Sequence, residues 1–195
     1  AAGANEQIYN NGTEKTKIIY ACHYAGLIPA GPGKSHQSLR DISLFGALAN
    51  VVILEPCNAE ETRAALAWCV HEAEESCMIR LVISPSPRTI PLPEGYHLSY
   101  GKGSEIRDGK DAVMFAYGPV MLNEALTAGE VLEKDGFSLK IVNLPWLNRV
   151  DSNWLEEIIG DCKYIFVVDN HSPYGGLGDS LLNAAMLSSH LRSKR

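Results

Sequence analysis

The sequence predicts an α/β protein in two parts, with a parallel sheet in the first and a mixed sheet in the second. Three observations carry this reading. Short apolar runs alternate with amphipathic segments of helical spacing, the pattern of strands joined by crossover helices. Ser84 to Gly95 holds four prolines, Pro85, Pro87, Pro91 and Pro93. They remove backbone donors and favour extended chain, so the stretch reads as a linker and places the domain boundary. Beyond it the strand and helix pattern restarts with a hairpin signature.

The elements follow in order. Ala4 to Asn11 reads as the end of a helix, stopped by Asn10-Asn11-Gly12. Lys17 to Cys22 is a short apolar run bounded by turn residues, hence a buried strand. The loop Ala25 to Ser35 leads into a helix expected over Gln37 to Leu48. Val51 to Leu54 is a second buried strand, closed by Glu55-Pro56. Asn58 precedes Glu61 by three residues, a capping-box spacing that starts a helix. Leu66, Cys69, Val70 and Ala73 form its expected apolar stripe. Cys77 to Ile83 is the third strand.

In the second half, Tyr100 to Arg107 and Asp111 to Tyr117 are expected to pair as a hairpin turning at Asp108-Gly109-Lys110. Gly118-Pro119 opens a helix to about Lys134, with proline in the first turn where a missing N–H does no harm. Leu139 to Leu144 is a strand, Asp151 caps a short helix to Ile159, and Lys163 to Asp169 is the last strand. Gly175-Gly176-Leu177-Gly178 leads to a helix from Ser180 to Leu191, and Ser193-Lys194-Arg195 reads as a frayed tail.

A net charge of −6 and a pI near 5.5 argue against nucleic acid or an anionic membrane as a general partner. No uninterrupted apolar run approaches the roughly 20 residues that span a bilayer, and the N-terminal residues lack the features of a signal peptide. Cys22, Cys57, Cys69, Cys77 and Cys162 are odd in number, have no CxxC spacing, and mostly sit in apolar runs. They read as reduced, largely buried thiols of a cytoplasmic protein.

Chemistry concentrates in Gly31-Pro32-Gly33-Lys34-Ser35-His36-Gln37-Ser38, a glycine-rich turn that hands a polar cluster to a helix. Such junctions bind anions, because free N–H groups and the helix dipole point at the ligand. His36 there can contact a substrate oxygen or move a proton near neutral pH; the structural alternative is an exposed helix-capping histidine. His23 closes the first clear strand, and ligands of open α/β sheets gather at the carboxyl ends of strands. Its alternative is a hydrogen bond to a neighbouring loop. Arg80 lies in an apolar strand, where an arginine must be paired or bind an anion. Its guanidinium fork suits phosphate or carboxylate; the alternative is a structural pair with Glu55 or Asp41. The Gly175 to Gly178 run matches neither G-x-G-x-x-G nor a phosphate-binding Walker loop and fits close helix packing, with His171 placed to orient the turn.

Taken together these residues resemble the transketolase superfamily. Gly33 to Ser38, Asp41, Val51 to Pro56 and Asn58-Ala59-Glu60-Glu61 are similar to the second half of its pyrimidine-binding domain. Tyr100-Gly101-Lys102-Gly103, Arg107 to Asp111, Ala116-Tyr117-Gly118, Val142-Asn143-Leu144 and His171 to Gly178 are similar to its C-terminal domain. The resemblance implies a partial parallel-sheet domain over residues 1–92 and a three-layer domain with a mixed sheet over 93–195. It implies thiamine diphosphate and magnesium chemistry in the complete enzyme, a two-carbon ketol unit moving between sugar phosphates, and a homodimer completed by an N-terminal diphosphate-binding domain or subunit. By the same resemblance His36 is catalytic, and His23 and Arg80 bind substrate phosphate. The deoxyxylulose phosphate synthase branch does not keep the His23 histidine, which favours the transketolase branch. Pro32 stands where the family places an acid that reads a sugar hydroxyl, implying a substrate other than the usual pentose and hexose phosphates. The family's catalytic glutamate and diphosphate domain lie upstream of this stretch, so the chain alone is expected to hold no cofactor or metal and to be inactive. The rival expectations are a 2-oxo acid dehydrogenase β-like subunit, which would pass an acyl group to a lipoyl arm, and a non-catalytic dimerisation module.

Overall fold

A computed structural model describes residues 5–28, 31 and 33–188. Helix α1 (Asn5–Thr13) is followed by strand β1 (Ile19–His23), helix α2 (Asp41–Gly46), strand β2 (Val51–Leu54), helix α3 (Ala59–His71) and strand β3 (Ser76–Leu81). The three strands form a parallel sheet in the order β1-β3-β2. All four residues of β2 are fully buried, as a continuous apolar run in a parallel sheet requires.

The second sheet contains β4 (Ser104–Arg107), β5 (Ala112–Ala116), β6 (Leu139–Asn143) and β7 (Tyr164–Val167) in the order β4-β6-β5-β7. β5 pairs in parallel with β6 and β7, while β4 is antiparallel to β6, so the sheet is mixed. Helix α4 (Gly118–Lys134) covers one face and packs with Ala112, Ala116, Leu139 and Ile141. Helices α5 (Ser152–Ile159) and α6 (Leu177–Leu187) share the other core with Val113, Phe115 and Val142. Successive side chains of β5 point to opposite faces and so feed two different cores, Ala112, Met114 and Ala116 on one and Val113 and Phe115 on the other.

Several sequence expectations are corrected. β4 and β5 do not form a hairpin, because β6 lies between them. Asp108-Gly109-Lys110 still turns the chain, but the α4 crossover brings β6 into the gap and takes both sets of ladder bonds. The helix expected over 37–48 shrinks to Asp41–Gly46. Ser38 exchanges backbone bonds with Gly26 at 3.0 and 3.1 Å, and the Gln37 side chain donates to the Leu27 carbonyl at 2.7 Å. The stretch is committed to the preceding loop and cannot also enter a helix. On α3 the buried face is Glu61, Ala65, Trp68 and Cys69, whereas Leu66 and Val70 are exposed. Asn58 does cap α3, its Oδ1 accepting from Glu61 N at 2.8 Å, but the Glu61 carboxylate accepts from Cys57 N rather than Asn58 N. Helix α6 begins at Leu177, three residues early, because Asp169 Oδ2 accepts from Leu177 N at 2.7 Å and starts it there. It ends at Leu187, short of the expected Leu191, because Ser188 has already turned to extended backbone at ψ 121°; residues 189–191 and the tail at 193–195 lie outside the described residues. No disulfide links the five cysteines; Cys57, Cys69 and Cys77 are buried.

The two halves are stitched together. Segment 145–148 lies along the open edge of β2: Glu55 N donates to Pro145 O at 3.0 Å and Leu147 N to Ile53 O at 2.9 Å. The Asn148 side chain adds bonds to both Ile53 N and Val51 O. Trp146 is fully buried there, its ring against Trp68 and Tyr100 at 4.8 and 5.2 Å. The proline-rich stretch has neither strand nor helix, yet it is pinned. Ile90 is buried, its carbonyl accepts from Asn58 Nδ2, and the Arg88 guanidinium reaches Asn123, Thr127 and Glu130. No helix among the described residues is long and apolar enough to cross a membrane.

Candidate functional site

A cavity of about 580 Å³ opens between the carboxyl end of β1 and the loop that precedes α2. Its wall includes Cys22, His23, Lys34, Ser35, His36, Arg40 and Asp41, closed below by Leu44, Phe45 and Met78. The two histidines singled out by sequence, His23 and His36, therefore face one cavity, although 13 positions apart in the chain. The strand end supplies the first and the loop the second.

His36 is exposed and oriented from two sides. Its Nδ1 lies 2.9 Å from Ser35 Oγ, and its ring meets the edge of Tyr24 at 5.4 Å. Tyr24 holds a left-handed φ of +61°, a conformation that costs a bulky residue energy and recurs at functional sites. No local sequence signal marks Tyr24 for this role. The Cys22 thiol on the same wall is pushed up by burial and then by Asp41, so it is a poor nucleophile.

Arg80 does not reach the cavity as a phosphate ligand. It is fully buried; its Nε lies 2.8 Å from Asp41 Oδ2, and Nη1 lies 2.5 Å from Glu55 Oε2. Nη2 completes a fork on Asp41 Oδ1 at 3.2 Å. The guanidinium thus follows the pairing alternative, and with both of the named acids, Asp41 and Glu55. Burial works against the Arg80 charge, but Glu55 and Asp41 outweigh it and raise its pKa. Burial drives Glu55 up to about 7, opposed by Arg80. The Arg80 guanidinium carbon stands 5.9 Å from the Tyr117 ring centre. Tyr117 in turn donates to Asp169 and accepts from Asn170 N.

The second half holds the loop of the first. Asn170 Oδ1 accepts from Leu27 N at 2.7 Å, Ser172 N donates to Leu39 O at 2.8 Å, and His171 Nε2 lies 3.4 Å from Ser43 N. Gly26 has a φ of +77°, and a Cβ on it would stand 2.1 Å from Asn170 Nδ2. Only glycine allows this approach. Gly176 is similar: a Cβ there would meet Asp169 Oδ2 at 2.2 Å, so the packing reading of the glycine run holds at Gly175 and Gly176, while Gly178 faces open space. His171 sits beneath that turn, its Nδ1 2.9 Å from Ser172 O. Pro32, the expected departure in the loop, lies outside the described residues. A second hollow of about 640 Å³ beside β7 is lined mainly by apolar side chains such as Ile165, Leu181 and Leu182.

Comparison with known proteins completes the description. Residues 3–83 match the family description "Transketolase, pyrimidine binding domain" and residues 101–194 match "Transketolase, C-terminal domain". A protein of Sinorhizobium fredii placed in the transketolase family is 32% identical over 178 residues, covering 90% of this chain and 50% of that protein. A transketolase C-terminal section of Methanocaldococcus jannaschii is 30% identical over 185 residues, covering 93% of this chain and 56% of that protein. A 1-deoxy-D-xylulose-5-phosphate synthase of Halothermothrix orenii is 25% identical over 187 residues, covering 91% of this chain and 28% of the synthase. The chain thus spans about half or less of each relative. Among solved structures, a split-gene transketolase described as an inactive β4 tetramer superposes with a TM-score of 0.79 at 26% identity, over 95% of this chain and 60% of that one.

Proposed function

The chain belongs to the transketolase superfamily, and from that premise we propose that it is the C-terminal part of a thiamine diphosphate-dependent enzyme moving a two-carbon ketol unit between sugar phosphates. The observation that carries the reading is the convergence of His23 and His36 on one cavity within the part matched to the pyrimidine-binding domain. His36, steadied by Tyr24 and Ser35, is the group that exchanges a proton with a substrate oxygen. An imidazole is suited to this because its charge changes near neutral pH. His23 donates to the substrate from the strand end. We divide the chain at 92/93, with the site in the first unit and its loop braced by the second, in a cytoplasmic homodimer.

The described residues of the cavity, with exposed cations and two histidines, suit a sugar phosphate better than a magnesium ion. The cavity's one acid, Asp41, spends both oxygens on Arg80. Among the described residues no three His, Cys, Asp or Glu side chains gather as a metal site. We therefore assign thiamine diphosphate and magnesium to a diphosphate-binding domain or subunit that completes the enzyme, and turnover to that assembly.

The assay is ketol transfer from xylulose 5-phosphate to ribose 5-phosphate by the complete enzyme. His36→Asn should lower kcat by about 10²-fold or more, the scale of a lost acid–base group, with the fold unchanged by circular dichroism. Activity only with pyruvate and glyceraldehyde 3-phosphate would favour a synthase, the second reading, supported by the synthases among the relatives. Activity only with branched 2-oxo acids would overturn both.

A further inference from the structure

We infer that Lys34 and Arg40 form the phosphate subsite of the cavity, a deepening that rests on the sugar-phosphate reading above. With Arg80 buried and answered by two carboxylates, the anion-binding role must fall on other cations or on none. The chain as a whole carries a charge of −6, yet the accessible wall of this cavity is cationic. Lys34 and Arg40 are exposed on it together with two histidines. The one acid of the wall, Asp41, is 4% exposed and turned to Arg80. A concave surface of one sign concentrates counter-ions of the other.

Neither side chain has an ion pair or hydrogen bond with any described residue. Arg88, Arg107 and Arg149 elsewhere each meet a glutamate. Lys34 and Arg40 are therefore free to meet a ligand without first breaking a bond. Their backbone is also fixed. Lys34 lies in a turn that His36 N closes on Gly33 O at 3.1 Å. The Arg40 carbonyl accepts from Leu44 N at 2.9 Å at the start of α2. Between them, Gln37 and Ser38 are bound to Leu27 and Gly26. The two cations thus flank His36 on one braced loop.

The pair selects the anion. A phosphate monoester carries nearly two negative charges at neutral pH and offers three acceptor oxygens. Arginine supplies a planar fork for two of them and lysine a point charge for the third. A sugar bound this way projects from its phosphate toward His36.

The test titrates the full chain with ribose 5-phosphate, ribose and inorganic phosphate at low ionic strength, read by calorimetry and by amide shifts of residues 33–41. Ribose 5-phosphate should bind more tightly than phosphate, phosphate should bind detectably, and ribose alone should not. Lys34→Gln and Arg40→Gln should each weaken ribose 5-phosphate about tenfold, and the double variant about a hundredfold, as expected for charge-assisted bonds. Both residues are exposed, so folding is checked only by an unchanged spectrum. If ribose 5-phosphate binds equally to the double variant and loses affinity in His23→Gln, the subsite is overturned and the sugar-phosphate reading stands. If phosphate binds through Lys34 and Arg40 but ribose 5-phosphate binds no tighter, the subsite stands and the sugar reading fails. If the folded chain binds neither, the subsite is overturned.

Discussion

Arg80 and Glu55 show how a buried charge is kept in a strand. The guanidinium lies on Asp41 and Glu55 with no exposed atom, so neither acid can be relieved by water. Arg80→Met should cost about 3–5 kcal/mol in urea unfolding, because it strands buried carboxylates. A loss below about 1 kcal/mol would contradict the pairing. Glu55 gives a pH signature. Its pKa in the folded chain is about 7, raised from 4.5 by burial, with Arg80 opposing and Asp41 and Asp169 adding to the rise. Between these values the folded chain keeps a proton that the unfolded chain releases. The contribution is full below 4.5 and is lost as pH rises through about 7. Urea midpoints of wild type relative to Glu55→Gln should therefore decline across that window and level off above it; a flat or rising difference would count against the assignment.

At the scale of elements, helix starts were legible because their chemistry is local. Asn58, Asp151 and Gly118-Pro119 begin helices where the sequence places them, with Asn58 and Asp151 accepting backbone N–H bonds. Asn58→Ala should cost about 1 kcal/mol for the lost cap and should release the Ile90 carbonyl as well. Thermal unfolding measures it, and Asn58→Asp should recover the cap but not the Ile90 bond. Strand partnership and helix length were not legible where distant residues compete for the same backbone groups. The hairpin failed because β6 occupies the place beside β4, and α2 was cut short because Gly26 and Leu27 claim Ser38 and Gln37. The α3 stripe held at Cys69 and Ala73 but not at Leu66 and Val70, because Trp68 turns inward to Trp146 and leaves those two outside.

For the whole molecule, the decisive contact is the segment 145–148 against β2. It covers a sheet edge that would otherwise expose unpaired backbone, and it brings Trp146 into the core. Trp146→Ala should lose about 3–5 kcal/mol, as for other buried large residues truncated to alanine. Asn148→Ala should lose about 1–3 kcal/mol, since Ile53 N and Val51 O lose partners. Hydrogen exchange at Ile53 should quicken in that variant; unchanged protection would show that the edge does not depend on Asn148. The same scale explains the site. The segment 169–172 comes from the second half and fixes a loop in the first, a relation that no spacing in the sequence announces.

By itself the sequence determined the α/β class, the two sheets, most element positions, and the placing of His23 at a strand end and His36 in the loop before α2. These follow from apolar periodicity, caps and turn residues, all of which act over a few positions. The tertiary structure alone decided the strand order of the second sheet and the burial of Arg80 between two acids. It also left the Lys34 and Arg40 side chains on the cavity wall without an ion pair to any described residue. Each of these depends on which distant group reaches a hydrogen-bonding or charged partner first, and that competition is settled only when the chain is packed.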